Sequence, residues 1–206
     1  MQLNIPLVSF IALAFTAVAA NATTNTSSSV VSTKTVTYCP TTTPVPVCPP
    51  LTQTIPLRRM WNGDLTSHFY STYGLEVAQF GTQGYSEEPP QGRVYATQVD
   101  GTVPLWRCNL NQGTPQIDYF YTADAAEFQA QVAGGCQVMP DPAAAGISQG
   151  IGYLHPRPQC NAVPLYRLYS SARFDHFYTI NETERQNNIN TGLYADQGIT
   201  GYVIPN

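Results

Sequence analysis

Short runs alternating apolar or aromatic residues with polar ones recur along the chain, in pairs separated by Gly, Asn, Ser and Pro. The clearest pair is Pro164-Leu165-Tyr166-Arg167-Leu168-Tyr169, a polar turn over 170–173, and then Phe174 to Thr179. Run, turn and run is the pattern of a β-hairpin. Alternation places Asp175, Phe177 and Thr179 on one face of the second strand and His176 and Tyr178 on the other, and the Phe face is assigned to the core. A helix signal follows. Asn181 and Asp124 each precede a Glu by three residues, the spacing of an N-cap with a Glu reaching back to the cap's own amide. Ala125 to Ala133 is the better helix, with Phe128 and Val132 on one side; its counterpart carries Arg185 and Ile189 there, a poorer apolar face. Gly135 and Gly192 mark helix ends with positive φ. Leu193 to Ile204 reads as a closing hairpin around Gly198 and Gly201.

This grammar is written three times. Ser67-His68-Phe69-Tyr70-Ser71, Asp118-Tyr119-Phe120-Tyr121-Thr122 and Asp175-His176-Phe177-Tyr178-Thr179 stand in register. Counting from the second residue of each, a Glu falls at +8 (Glu76, Glu127, Glu184) and a Gly at +16 (Gly84, Gly135, Gly192). Upstream, Pro56-Leu57, Pro104-Leu105 and Pro164-Leu165 each precede an Arg, three residues after the Pro (Arg59, Arg107, Arg167). A Gly with a nearby Tyr closes each copy: Gly92 with Tyr95, Gly150 or Gly152 with Tyr153, and Gly198 with Tyr202. The expected fold is mainly β with a short helix per repeat (α+β). It is a single pseudo-threefold domain over 54–206 of three β-β-α-β-β units (56–97, 104–155, 164–204), with a trefoil-like or propeller-like closure.

The first 53 residues have a different character. Ile5 to Ala20 is an uncharged, mostly apolar run ending in Ala17-Val18-Ala19-Ala20, the form of a secretory signal over 1–20, although Met1 to Asn4 holds no Lys or Arg. Residues 21–53 are rich in Thr, Ser, Pro and Val, too polar to repay ordering, and read as an extended stalk. Asn21, Asn25 and Asn181 head N-glycosylation sequons. The chain ends at Asn206 with no apolar tail, so release to the exterior or non-covalent wall retention is expected. A formal charge of −4 with few cations argues against nucleic-acid or anionic-membrane partners.

Five cysteines leave one over. Cys39 and Cys48 bracket a short Pro-rich loop and are expected to pair; a bridge from Cys136 to Cys160 would close the excursion of the second unit, with Cys108 to either as the rival.

The motif D/S-H/Y-F-Y-T/S with its Glu, Gly and closing Gly/Tyr resembles an uncharacterised repeat family of secreted bacterial and fungal proteins, whose members read LYRLYNPxxxDHFYT and then ER, GY and EG. The resemblance covers Pro56 to Ile204, close in the third copy and loose in the second, where Tyr119 replaces His and Cys136 replaces Tyr. It implies an accessory module of the kind found on extracellular enzymes. The stalk segment Thr35 to Pro40 is similar to Thr-rich stretches of fungal wall and adhesin-type proteins.

The triplicated Arg59, Arg107, Arg167 and Glu76, Glu127, Glu184 are read as scaffold, through capping and ion pairing. No metal or cofactor is expected, since His68 and His176 have no second His at ligand spacing. No nucleophile elbow, zinc-protease helix motif, phosphate loop or dinucleotide fingerprint occurs, so an enzyme is disfavoured. What remains is aromatic and polar: Trp61, Tyr70, Trp106, Tyr119, Tyr121, Tyr166 and Tyr178, beside His68, Asp118, Asp175 and His176. Aromatic faces stack on the C–H face of a pyranose while Asp and His hold its hydroxyls, so the expectation is a secreted lectin-like module for extracellular or cell-wall glycan. The alternative is a cell-surface structural or protein-interaction protein; an extracellular hydrolase ranks last.

Overall fold

The structure, a computed structural model, describes residues 47–110, 116–139 and 150–206. The expected signal and most of the expected stalk, with Asn21, Asn25 and Cys39, lie outside the described residues. After a 3-10 turn at Leu51–Gln53 come β1 (Thr54–Pro56), β2 (Arg58–Asn62), β3 (Ser67–Ser71), α1 (Gly74–Gly81), β4 (Ser86–Glu88) and β5 (Arg93–Tyr95). The second unit supplies β6 (Val103–Leu110), β7 (Asp118–Thr122), α2 (Ala125–Ala133), β8 (Gln137–Val138) and β9 (Gly150–Leu154). The third supplies β10 (Val163–Ser170), β11 (Asp175–Thr179), α3 (Glu182–Asn190) and β12 (Ala195–Val203).

The chain is therefore mainly β with short helices, in three antiparallel sheets, none closed into a barrel: β3-β2-β4, β11-β10-β12, and β1-β5-β9-β6-β7 with β8 on β6. The three expected hairpins form, with Arg59 opposite Tyr70, Arg107 opposite Tyr121 and Arg167 opposite Tyr178. The expected closing hairpin over 193–204 does not. Residues 195–203 run as one strand along β10, with register shifts near Tyr166, because its partner is the first strand of its own unit and not a neighbour across a Gly turn.

In each sheet the second hairpin strand is an edge, and β3, β7 and β11 pack against one another. All five residues of each are buried, so the expected division into a core face and a wet face is wrong: both faces are covered, by the unit's own helix and by the neighbouring units. Three edges facing inward would strand N–H and C=O groups without water. Tyrosine hydroxyls answer this. Tyr70 Oη donates to Tyr178 O and accepts from Tyr178 N, both at 2.7 Å. Tyr121 Oη does the same for Tyr70 O and N at 2.9 and 2.8 Å, and Tyr178 Oη for Tyr121 O and N at 2.9 and 2.8 Å. The rings meet edge to face, with centroids 5.3 to 5.4 Å apart.

A second junction lies where the units end. Tyr95 pairs with Tyr153, His155 bridges Tyr202, and Arg93 bridges Ile204, so the three closing segments join pairwise. Glycines permit the approach. A Cβ on Gly92 would meet Val203 Cγ2 at 2.6 Å, one on Gly152 Val94 Cγ2 at 2.5 Å, and one on Gly201 Leu154 Cδ1 at 2.4 Å. The closing glycine of the second unit is thus Gly152, and that of the third is Gly201 and not Gly198, which meets nothing within 4 Å.

Each helix has its own apolar patch. Phe69 stacks on Phe80 at 3.6 Å, Phe120 and Phe128 pack with Cys108 and Cys136, and Phe177 packs with Leu168 and Tyr194. In the second patch the Cys108–Cys136 disulfide stands where the others place a Tyr. The expected Cys39–Cys48 bridge is corrected: Cys48 pairs with Cys160, tying the chain before β1 to the β9–β10 connection, and the Cys136–Cys160 alternative falls with it. No described helix is long and apolar enough to cross a membrane.

Two substitutions test the junctions. Tyr121→Phe leaves the buried N–H and C=O of Tyr70 unmet and should cost about 2–4 kcal/mol in urea unfolding. Gly152→Ala, at φ of 147°, should cost about 1–3 kcal/mol by overpacking on top of its backbone strain, whereas Gly135→Ala, with φ of 101° but nothing within 4 Å, should cost only the conformational strain of about 1–2 kcal/mol.

Candidate functional site

The scaffold residues form clasps between units. Arg107 binds Glu76 with two hydrogen bonds at 2.8 and 2.9 Å, Arg167 binds Glu127 at 3.0 and 2.7 Å, and Arg59 binds Glu184 twice at 3.0 Å. Each guanidinium also lies over the Phe of the unit it clasps: Arg107 over Phe69, Arg167 over Phe120 and Arg59 over Phe177, at 5.0 to 5.5 Å. Forked carboxylate binding with a stacked cation is strong and geometrically exact. The Glu side chains do not reach back to the cap amides as expected. They accept instead from the hydroxyls of Ser71, Thr122 and Thr179, and those oxygens accept the amides of Tyr73, Asp124 and Asn181. The caps themselves form, Asp124 Oδ1 taking Ala126 N and Glu127 N, and Asn181 Oδ1 taking Thr183 N and Glu184 N.

The histidines are struts of the same kind. His68 N and Nδ1 lie 2.7 Å from the two oxygens of Asp175, and His176 N and Nδ1 lie 2.8 and 2.6 Å from those of Asp118. Tyr194 Oη donates a further bond to Asp175 at 2.6 Å. At the third joint Tyr119 and Ser67 replace the pair, with the Tyr85 phenol beside both. The two Asp carboxylates are buried, and each bonds the backbone amide and the imidazole Nδ1 of a His in another unit.

Tyr70, Tyr119, Tyr121, Tyr178, His68, His176, Asp118 and Asp175, expected on a wet ligand face, are therefore buried and cannot meet a glycan directly. Burial pushes the Tyr70, Tyr121 and Tyr178 phenols well above their ordinary value, which keeps them protonated as donors. Of the expected ligand residues, Trp61, Trp106 and Tyr166 are half-buried, one on each sheet. Trp61 leans on the His68 ring at 4.4 Å, and Tyr166 lies under the Arg185 guanidinium at 4.5 Å. Trp106 stacks on Phe128 beneath it and lines an open groove.

That groove, of about 510 Å³, runs between the start of α2 and the segment before Gly201. Trp106, Val103, Pro156 and Ile199 give it apolar walls, and Asp124 and Thr200 its polar groups. Asp124 is exposed, and its capping bonds use Oδ1. Thr200 Oγ1 is shielded and has no hydrogen-bond partner. Thr200 carries no local signal in the sequence, where Gly198 and Gly201 are alike as closing glycines, and Asp124 carries only that of a cap. A second groove of about 290 Å³ occupies the related place at the start of α3, bounded by Pro89, Pro90, Gln91, Asn181 and the Arg59–Glu184 pair. Among the described residues no group of three or more His, Cys, Asp or Glu side chains could hold a metal ion.

The clasps predict acid sensitivity. Burial opposes the charge of Glu184, but hydrogen bonds from Arg59 and Thr179 and the guanidinium charge prevail, holding its carboxyl below the ordinary value; Arg167 and Thr122 do the same for Glu127. A carboxyl with a lower pKa folded than unfolded adds stability that is complete above the unfolded value, about 4.3, and is lost as pH falls through the folded one. Urea midpoints should drop below that pH, and in the Glu127→Gln/Glu184→Gln variant this part of the acid dependence should vanish and the midpoint near neutral pH should be lower.

No curated protein and no solved structure matches this chain. One family model does, over residues 22–137 and 146–204, spanning most of the sequence. The chain therefore belongs to the family described as a domain of unknown function (DUF5648).

Proposed function

We propose that this protein is an exported, non-enzymatic glycan-binding module whose binding site is the Trp106 groove. The observation that carries the reading is the groove's make-up: a half-buried indole stacked on Phe128, beside an exposed carboxylate whose capping bonds use Oδ1 alone, in one cleft of about 510 Å³. Small-ligand sites occupy about 300–1,000 Å³ and combine apolar walls with a few polar groups. A pyranose matches this composition, its C–H face on the indole and its hydroxyls toward Asp124. Two disulfides among the described residues fit an oxidising exterior, and the leader and Thr/Pro-rich stalk fit display outside the cell.

We also read the architecture as a triplicated unit with trefoil-like closure. Cyclic Tyr, Arg/Glu and Gly contacts support it, and an axis filled by three phenols favours it over a propeller-like channel.

Isothermal titration with soluble oligosaccharides, and retention on insoluble chitin, β-glucan and cellulose, test the binding. The folded protein should bind at least one, and Trp106→Ala should weaken it about tenfold or more, a loss of about 1.4 kcal/mol or more. Asp124→Asn should weaken it while keeping the cap, and Trp61→Ala should leave it unchanged. No retention on any polymer, with a protein captured instead, would favour the surface-interaction alternative; product release from the polymers would favour a hydrolase.

A further inference from the structure

The second groove has features that the first lacks. Asn181 stands on its rim, exposed, as the first residue of Asn181-Glu182-Thr183. Its Oδ1 is committed to capping α3, accepting from Thr183 N at 2.9 Å and Glu184 N at 3.1 Å, which leaves Nδ2 directed away from the helix amides. N-glycosylation takes place at Nδ2 and keeps the amide oxygen, so cap and modification are compatible. The groove beside it is rigid. Gln91 Oε1 accepts from Ile180 N at 3.0 Å, Gln91 Nε2 donates to Pro89 O at 2.8 Å, and the Arg59–Glu184 clasp fixes one side.

The groove's chemistry suits a sugar that is already tethered. Pro89 and Pro90 offer apolar surface, and the part-exposed Glu184 carboxylate offers an acceptor, but no aromatic residue lines it. A free glycan would gain little here without a ring to stack on. A sugar bonded to Asn181 starts at the groove's edge, where tethering raises its local concentration to the millimolar range or above.

We infer that Asn181 carries an N-linked glycan whose first sugars fold into the adjoining groove, cover Pro89 and Pro90, and brace the joint between the first and third units. In the modification a lipid-pyrophosphate-linked oligosaccharide is the donor. The bond from the sugar's C1 to the pyrophosphate oxygen breaks, a bond from C1 to Asn181 Nδ2 forms, Nδ2 gives up one proton, and the lipid pyrophosphate departs. Of the two related grooves, one is thus filled by the chain's own sugar and the other stays open for a ligand.

The inference requires export but not ligand binding at Trp106, so the two can fail separately. The full chain is secreted from a yeast host under that host's own leader, which supplies export independently of residues 1–20. Mass spectrometry of the peptide containing Asn181 should show the glycan, and a peptide-N-glycosidase should release it about tenfold more slowly from native than from denatured protein. Enzymatic removal leaves a carboxylate that still caps α3, and Thr183→Ala abolishes the sequon without touching the cap. Both should lower Tm by about 2–4 °C, the shift expected for about 1 kcal/mol in a domain of this size. An unmodified Asn181 overturns the site. A glycan released equally fast from native and denatured protein, with Tm unchanged on removal, overturns its seating in the groove.

Discussion

Three sheet edges point at one another in the middle of this protein, and a hydrogen-bonded ring of three phenols makes that arrangement tolerable. An edge strand buried against other edges has no water for its outward N–H and C=O groups, and three strands around an axis cannot form a ladder with one another. A tyrosine hydroxyl can accept a proton and donate one at the same time. Tyr70, Tyr121 and Tyr178 each use both capacities on the backbone of the same neighbouring Tyr, so six main-chain groups are met by three side chains. Phenylalanine would fill the space and serve none of them. The high pKa that burial imposes on the phenols belongs to the same design, because an ionised ring could not donate.

Everything farther from the axis repeats that logic of completion by a neighbour. Each Arg clasps the Glu and the Phe of another unit, each closing glycine receives a Val or Leu from another unit, and two of three histidines lean on another unit's Asp. Each unit depends on a neighbour to complete part of its buried polar groups, so the three should form and fail together. The grooves mark where a joint is incompletely filled. At the first residue after the strand, Thr72 spans its joint by donating to Ile151 O at 2.7 Å, and at Ile180 the gap is narrowed by Gln91 from the far side. Ala123 has nothing to span with, and there the groove reaches about 510 Å³. A single short side chain in one copy thus opens the cleft that Trp106 lines.

The sequence carried the hairpins and helices plainly, because period-two runs, cap spacings and helix-ending glycines are local signals; α2 runs from Ala125 to Ala133, as its pattern predicts. The destination of each face was not local. Alternation separates Tyr178 from Phe177 but cannot say that the Tyr side meets two other strands, so residues suited to a sugar were placed outside when they form the axis. The cysteines failed for a similar reason. Cys48 reaches Cys160 because β1 pairs with β5 and β5 with β9, a chain of long-range pairings invisible in the spacing from Cys39 to Cys48. Gly198 and Gly201 look alike in sequence, and only the second is pressed against Leu154.

Internal repetition also limits where recognition can reside. The residues that recur in all three copies, Tyr, Phe, Arg, Glu and the closing Gly, are consumed by joints and are mostly buried, so they have little left to offer a partner. On the glycan-binding proposal, a ligand reads positions at which the copies differ. Trp106 is matched by Arg58 and Tyr166, Ala123 by Thr72 and Ile180, and Thr200 by Gln91 and Ile151, so the distinctive members of three otherwise repetitive sets meet in one cleft. The repeated residues build the frame. The differences between copies are where this frame departs from symmetry, and the proposed glycan site lies at one of them.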